Sequence, residues 1–192
     1  MKTLINGRWT DRKEEKQSND GSFKRKDTEF RNWITPDGSP GETGVGGFKA
    51  ESDRYHLYVS LACPWAHRTL IFRKLKNLEP HIGVSIVHPI MLENGWEFRT
   101  DFSQCTGDQI LGKNSIFEVY LAADKNITSR ASVPVLWDVK QATIVSNESS
   151  EIIRMFNSAF EQISVNELDL YPRTLRTEID ELNAMIYDDV NN

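Results

Sequence analysis

Cys63 is the residue of this sequence best placed for covalent chemistry. It follows the aromatic and β-branched segment Tyr55–Ser60, which predicts a strand, and precedes Pro64, a residue best tolerated in the first turn of a helix. Unpaired helix amides and the positive end of the helix dipole favour a thiolate at such a position. His67 and Arg68 would add positive charge if they point toward the sulfur. A lone cysteine is usually a buried structural residue, but this context predicts a functional thiol.

The residue three positions after Cys63 decides how that thiol works. A dithiol oxidoreductase has a second cysteine there, whereas this chain has Ala66. Without a local resolving thiol, Cys63 must pass its mixed disulfide to an external thiol, and glutathione is the intracellular thiol in greatest supply. The second cysteine of the chain, Cys105, lies in a predicted loop without a neighbouring helix start, so we treat it as non-catalytic. The pattern favours a monothiol, glutathione-dependent cycle.

Two residue pairs further along the chain indicate where glutathione could bind. Val133-Pro134 opens a predicted strand, and in thioredoxin-like folds the residue before this proline offers its backbone N–H and C=O to an extended peptide. Glu148-Ser149 begins a predicted helix, where amides and a hydroxyl bind a carboxylate and a glutamate binds an ammonium. A γ-glutamyl group carries both charges. Each pair alone has an ordinary explanation, strand entry or helix capping, but with Cys63 they indicate a glutathione site.

Composition excludes several other classes of function. The net charge of −5 argues against a general nucleic-acid binder or a protein held on anionic lipid. No apolar run approaches the ~20 residues that cross a bilayer. Residues 1–20 are polar and lack a secretory signal, so we expect a cytoplasmic protein. Cys63 and His67 have metal-ligand spacing, but no further ligand pair lies nearby, so we expect no metal.

The order of predicted elements is that of a thioredoxin-like α/β domain. Strands are predicted at residues 55–60, 83–88, 133–138 and 142–145, with helices starting near Pro64, Ser115 and Ser146, which gives β-α-β-α-β-β-α. Residues 1–52 are rich in turn residues and predict an irregular arm, residues 53–160 the thioredoxin-like domain, and residues 161–192 a linker and one amphipathic helix. That last helix carries an apolar stripe that needs a partner surface.

Several long segments carry a family resemblance: Phe30–Thr35, Gly46–Ala50, Arg54–Thr69, Met91–Trp96, Val133–Asp138 and Ile144–Ser149. They closely resemble the glutathionyl-hydroquinone reductases, the Xi class of glutathione transferases. The resemblance covers essentially the whole chain. It implies the N-terminal domain of a glutathione transferase, in agreement with the element order.

The resemblance also implies a reaction. Cys63 matches the family's nucleophile, which attacks the sulfur of a glutathionyl-hydroquinone, releases the hydroquinone and leaves a Cys63–glutathione mixed disulfide. A second glutathione then releases glutathione disulfide, so glutathione is the co-substrate. The residues that match its contacts are Trp96 against the tripeptide, Arg130 for carboxylate charge, Val133 through its backbone, and Glu148 with Ser149 at the γ-glutamyl end.

Members of this family continue into an all-helical domain, which supplies the walls of the hydroquinone pocket and the contacts of a homodimer. The resemblance therefore implies that this chain holds the glutathione half of the site and only the first helix of the second domain. Two alternatives stay open. The chain could be a general glutathione-dependent thiol transferase or dehydroascorbate reductase, or an inactive fragment that binds glutathione.

Overall fold

The computed structural model describes residues 2–11 and 28–191 of the chain. The strands are β1 (Lys2–Ile5), β2 (Arg8–Asp11), β3 (Tyr55–Val59), β4 (Ile82–Ile86), β5 (Val135–Asp138) and β6 (Thr143–Ser146). The helices are α1 (Pro64–Leu75), α2 (Ile116–Ala123), α3 (Ser149–Ser158) and α4 (Arg176–Ile186). A 3-10 turn at Arg173–Leu175 precedes α4, and a π turn at Tyr187–Asn191 follows it.

Strand β3 lies inside a four-stranded sheet with the order β4-β3-β5-β6. It runs parallel to β4 and antiparallel to β5, and β5 runs antiparallel to β6. Every residue of β3 is buried, which explains why its sequence is almost continuously apolar or aromatic. Helices α1 and α3 pack against each other, and α2 packs against β6. The predicted thioredoxin-like order is confirmed.

Local sequence explains where the helices begin. Helix α1 has Cys63 as its N-cap and Pro64 at the first helical position. Helix α2 begins with a capping box, in which Ser115 and Glu118 satisfy each other's backbone amides. Helix α3 begins at Ser149 with Glu148 as its N-cap, inside the predicted helix entry, and Ser146 belongs to β6. These starts fix the positions of the candidate site residues.

The N-terminal arm is more regular than the sequence analysis expected. Strands β1 and β2 form an antiparallel hairpin around Asn6 and Gly7, both of which have positive φ, as a two-residue turn of type I′ requires. The hairpin docks through Leu4, which exchanges backbone hydrogen bonds with Ser129 at 3.0 and 3.1 Å. Residues 36–47 contain only bends, as predicted. Residues 12–27 of the predicted arm lie outside the described residues.

Part of the arm also extends the main sheet. Arg31 forms an antiparallel bridge with Ser146 of β6, and the Asn32 N–H donates to the Val145 carbonyl at 2.9 Å. The arm therefore covers the exposed edge of β6 beside the start of α3. An uncovered sheet edge would present unpaired backbone groups, so this pairing also protects the domain from edge-to-edge association.

Helix α4 is held at the edge of the domain, and none of its residues is buried. Arg154 of α3 pairs with Asp180 at 3.2 Å and lies over the ring of Tyr171. The exposed apolar side chains of α4 include Leu182, Met185 and Ile186. The predicted amphipathic helix thus forms, and its apolar stripe is uncovered in the part of the chain that the structure describes.

Among the helices of residues 2–11 and 28–191, none combines the length and the apolar character that a membrane span requires. The division of the chain into three units stays a prediction.

Candidate active site

Cys63 lies at the turn between β3 and α1, as its sequence context predicted. Its extended backbone (φ −100°, ψ 114°) caps α1, and its N–H donates to the Ser60 carbonyl at 3.1 Å. The thiol is half-buried and donates to the carbonyl oxygen of Val133 at 3.5 Å. The sulfur therefore lies at a helix start and beside the first residues of the neighbouring strand.

Val133 presents its backbone next to this sulfur. The Val133–Pro134 peptide bond is cis, and the side chain of Val133 is buried. The Val133 N–H has no hydrogen-bond acceptor among residues 2–11 and 28–191. An N–H and a C=O at the start of a strand can pair with an extended peptide as a short added strand. The geometry thus suits a peptide whose own sulfur must lie near Cys63.

The start of α3 forms a second polar group, in a cleft that Val133 also lines. The Glu148 carboxylate caps the helix by accepting from the Ser150 N–H at 3.2 Å and the Ser150 hydroxyl at 2.9 Å. Ser149 is buried. This end of the helix combines amides that favour an anion with a carboxylate that favours a cation.

Arg68 contacts the start of α3. The sequence analysis stated that it would add positive charge near Cys63 if it pointed toward the sulfur. In the structure its guanidinium donates from Nε and Nη2 to the Ser149 hydroxyl, at 3.0 and 2.6 Å. It also lies 3.9 Å from Glu148 and over the Trp65 ring, and burial lowers its pKa. His67 is exposed on α1. Arg68 therefore links the thiol helix to the start of α3.

The remaining candidate residues lie in two adjoining clefts. A cleft of about 1060 Å³ is lined by Val133, Glu148 and Ser149, together with arm and α4 residues. A second cleft of about 540 Å³ is lined by Trp96, which is half-buried. Arg130 is exposed and lines both clefts. The structure thus places the sequence-predicted residues around one continuous surface that includes the Val133 backbone beside Cys63.

Cys105, which we expect to be non-catalytic, lines neither cleft. Its thiol donates to the Val87 carbonyl at 3.4 Å, and burial raises its pKa. No cluster of three or more His, Cys, Asp or Glu side chains in the described residues is arranged to hold a metal ion.

The mixed sheet, the thiol at the start of α1 and the backbone of Val133 before cis-Pro134 beside it define the class of thioredoxin-like domains. Residues 62–159 match the family model of the glutathione S-transferase N-terminal domain. The chain belongs to this family.

Individual relatives support a narrower resemblance. Glutathionyl-hydroquinone reductase YqjG of Escherichia coli is 58% identical over 192 residues, covering 100% of this chain and 58% of that protein. Glutathionyl-hydroquinone reductase PcpF of Sphingobium chlorophenolicum is 43% identical, with the same coverage of each chain. The resemblance to glutathionyl-hydroquinone reductases is confirmed, and this chain spans 58% of the length of these two relatives.

Solved structures agree with this result. The glutathione-bound structure of YqjG from Escherichia coli K-12 matches with a TM-score of 0.87 and 56% identity, over 99% of this chain and 56% of that chain. A Xi class glutathione transferase from Natrialba magadii matches with a TM-score of 0.89 and 43% identity, over 100% of this chain and 57% of that chain.

Proposed function

We propose that this chain carries the glutathione-binding half of a glutathionyl-hydroquinone reductase, with Cys63 as its nucleophile. The observation that supports the proposal most strongly is the position of the Cys63 sulfur, at the start of α1 and 3.5 Å from the Val133 carbonyl. With Ala66 three residues on, the thiol has no resolving partner in its own helix. The relatives that match the whole chain carry this activity in their names.

The proposed reaction has two balanced steps. The Cys63 thiolate attacks the glutathione sulfur of the thioether, an S–S bond forms, and the bond from sulfur to the aromatic carbon breaks. The electron pair of that bond goes to the carbon, which takes a proton and leaves as the hydroquinone. A second glutathione, as thiolate, then attacks the mixed disulfide, releases glutathione disulfide and restores the Cys63 thiolate.

The chain's own groups would bind glutathione in an extended conformation. The N–H and C=O of Val133 would pair with its cysteinyl residue, which holds the glutathione sulfur beside Cys63. The start of α3, with Glu148 and Ser149, would take the γ-glutamyl end. Arg130 would carry charge to the glycyl carboxylate, and Trp96 would lie against the tripeptide. Hydroquinone recognition and a homodimer are implied by the resemblance alone and are proposals here.

A second candidate function is general thiol transfer, such as deglutathionylation or dehydroascorbate reduction. It needs the same glutathione half-site and no hydroquinone pocket, so a chain that spans 58% of its relatives could suffice. A chain that binds glutathione without turnover is the non-enzymatic alternative.

The experiment that tests the proposal is intact mass spectrometry after exposure of the chain to oxidised glutathione. We expect one glutathione adduct, which added glutathione removes, in the wild-type chain and in the Cys105→Ser variant, and none in Cys63→Ser. No adduct at Cys63, or equal labelling of both cysteines, would contradict the proposal. Turnover of a glutathionyl-hydroquinone against a simple mixed disulfide then separates the two enzymatic candidates.

A further inference from the structure

Trp9 of the N-terminal hairpin lies beside the loop that carries Trp96. Its indole stacks on the Phe117 ring of α2, with ring centroids 4.7 Å apart and an angle of 10° between the planes. A Cβ added to Gly95 would lie 3.4 and 3.6 Å from two atoms of the same indole, which is ordinary van der Waals contact. The half-buried indole therefore packs between α2 and the backbone directly before Trp96.

The loop before the site tryptophan is a tight turn, and both strands of the hairpin contact it. Leu92 and Gly95 exchange backbone hydrogen bonds at 3.2 and 3.0 Å, and Gly95 has a φ of +72°. Lys2 of β1 pairs with Glu93 inside this turn at 2.9 Å, whereas β2 contacts the turn through Trp9. Because Glu93 is exposed, the ion pair should contribute less to the position of the turn than the packing of Trp9.

The same hairpin holds the segment that leads to Arg130. The Gly7 N–H donates to the Ile127 carbonyl at 2.9 Å. The Thr3 hydroxyl donates to the Ser129 carbonyl, also at 2.9 Å. The hairpin therefore contacts the segments of both the arginine and the site tryptophan, and these two residues line the second cleft together.

We infer that Trp9 is a positioning residue, which sets the distance between Trp96 and Arg130 and so shapes the part of the site that takes the glycyl end of glutathione. The inference rests on the proposed function, since it requires Trp96 and Arg130 to bind the tripeptide. A small side chain in place of Trp9 would leave a gap between Phe117 and Gly95, and the turn would move to close that gap.

The test compares glutathione with γ-glutamylcysteine, which lacks the glycyl residue, in calorimetric binding to the reduced chain. Trp9→Ala should weaken glutathione binding about tenfold, since the charged contact of Arg130 is displaced, and leave the dipeptide unchanged. Trp9→Phe keeps a ring against Phe117 and should restore most of the affinity. Thr10→Ala alters the opposite face of β2, and this matched control should change neither affinity.

Other outcomes contradict the inference. Equal weakening toward both ligands, or no rescue by Trp9→Phe, would mean that Trp9 only supports the fold, and unchanged glutathione affinity in Trp9→Ala would remove its positioning role. A wild-type chain that binds no glutathione contradicts the proposed function and the inference together. Normal glutathione binding by the wild-type chain with any of the other results contradicts the inference alone.

A measurement on the wild-type chain decides the matter if Trp9→Ala does not fold. When the docked hairpin increases glutathione affinity, bound glutathione must stabilise the docked hairpin by the same factor. Saturating glutathione should therefore slow hydrogen exchange of the Leu4 amide, which bonds to Ser129, by up to about tenfold. Unchanged exchange at Leu4 in a chain that binds glutathione would overturn the inference.

Discussion

The sulfur of Cys63 lies 3.5 Å from the carbonyl oxygen of Val133, although 70 positions separate the two residues in sequence. The sheet creates this proximity. Strands β3 and β5 are antiparallel neighbours with Tyr58 opposite Val135, so the end of β3 and the beginning of β5 lie at the same edge. Helix α1 starts directly after that edge. The thiol and the Val133 backbone are therefore positioned by strand pairing.

Arg68 offers a test of whether the site depends on the contact between α1 and α3. Arg68→Met removes both hydrogen bonds to the buried Ser149 hydroxyl while keeping much of the packing against Trp65. We expect the Kd for glutathione to rise about tenfold, since charge-assisted hydrogen bonds typically contribute about 1.5–3 kcal/mol. Alkylation of Cys63 by neutral iodoacetamide should keep its wild-type rate, because Arg68 contacts α3 rather than the sulfur.

Arg73→Met is the matched control for that experiment. Arg73 lies on the same helix, but its guanidinium donates to the Ile82 and Glu79 carbonyls, away from the clefts. We expect it to change stability and leave glutathione affinity unaltered. A clear loss of Cys63 alkylation in Arg68→Met would instead show that Arg68 acts on the thiol.

Cys105 should react as a poorly ionised thiol. Burial raises its pKa, and Asp101 adds to the shift while Arg99 opposes it. A higher pKa means less thiolate at a given pH, so in Cys63→Ser the alkylation rate at pH 7.5 should be below that of free cysteine. The rate should still be rising above pH ~8.5, where an ordinary thiol is half ionised. Timed alkylation followed by mass spectrometry checks this, and a plateau below pH 8.5 would contradict it.

Local sequence predicted the order of the strands and helices along the chain and the places where the site residues begin their elements, because strands, a proline at a helix start and capping residues are short-range patterns. Trp96 and Arg130 came only from the resemblance, since a tryptophan in a loop has no local pattern that marks it as a ligand contact. The contacts of Arg68 with Ser149 and of Glu151 with Arg31 were missed because in each pair the two residues lie on different elements.

The N-terminal hairpin is a different kind of omission. Asn-Gly at positions 6 and 7, flanked by short runs of apolar and β-branched residues, is a strong hairpin pattern, and it was available in the sequence. The many charges and turn residues that follow it led to the prediction of an irregular arm.

The assignment of the site residues to glutathione stays a prediction.

Gly7 should be essential for docking of that hairpin. Its φ is +74°, and a Cβ at this position would lie 1.9 Å from the Lys125 carbonyl oxygen. Gly7→Ala therefore adds a backbone clash to left-handed strain, and the hairpin should separate from the segment at Ser129. Faster hydrogen exchange of the Leu4 and Ser129 amides, by at least about tenfold, would show this.

Gly112→Ala is the matched control for Gly7→Ala. Gly112 has a similar φ of +64°, but a Cβ there meets no atom within 4 Å. It should cost only the left-handed strain of about 1–2 kcal/mol and leave exchange at Leu4 and Ser129 unchanged. Equal exchange in the two alanine variants would mean that the contact with Lys125 does not anchor the hairpin.

His56 should make the stability of the domain depend on pH below neutrality. It is buried in β3, its Nε2 lies 2.8 Å from the Ser85 hydroxyl, and burial lowers its pKa from 6.5 to about 4. Between these two values the unfolded chain binds a proton that the folded chain does not. This contribution to stability is therefore fully present above pH 6.5 and is lost as the pH falls toward 4.

For His56 alone, the shift corresponds to about 2 kcal/mol of unfolding free energy between pH 7 and pH 5. His56→Gln keeps a polar group near Ser85 and removes the titration, so it should lower stability at pH 7 but flatten the dependence by that amount. Urea unfolding at the two pH values measures both quantities in the wild-type chain and the variant. An equal loss of unfolding free energy between pH 7 and pH 5 in both proteins would mean that carboxylates, rather than His56, control acid sensitivity.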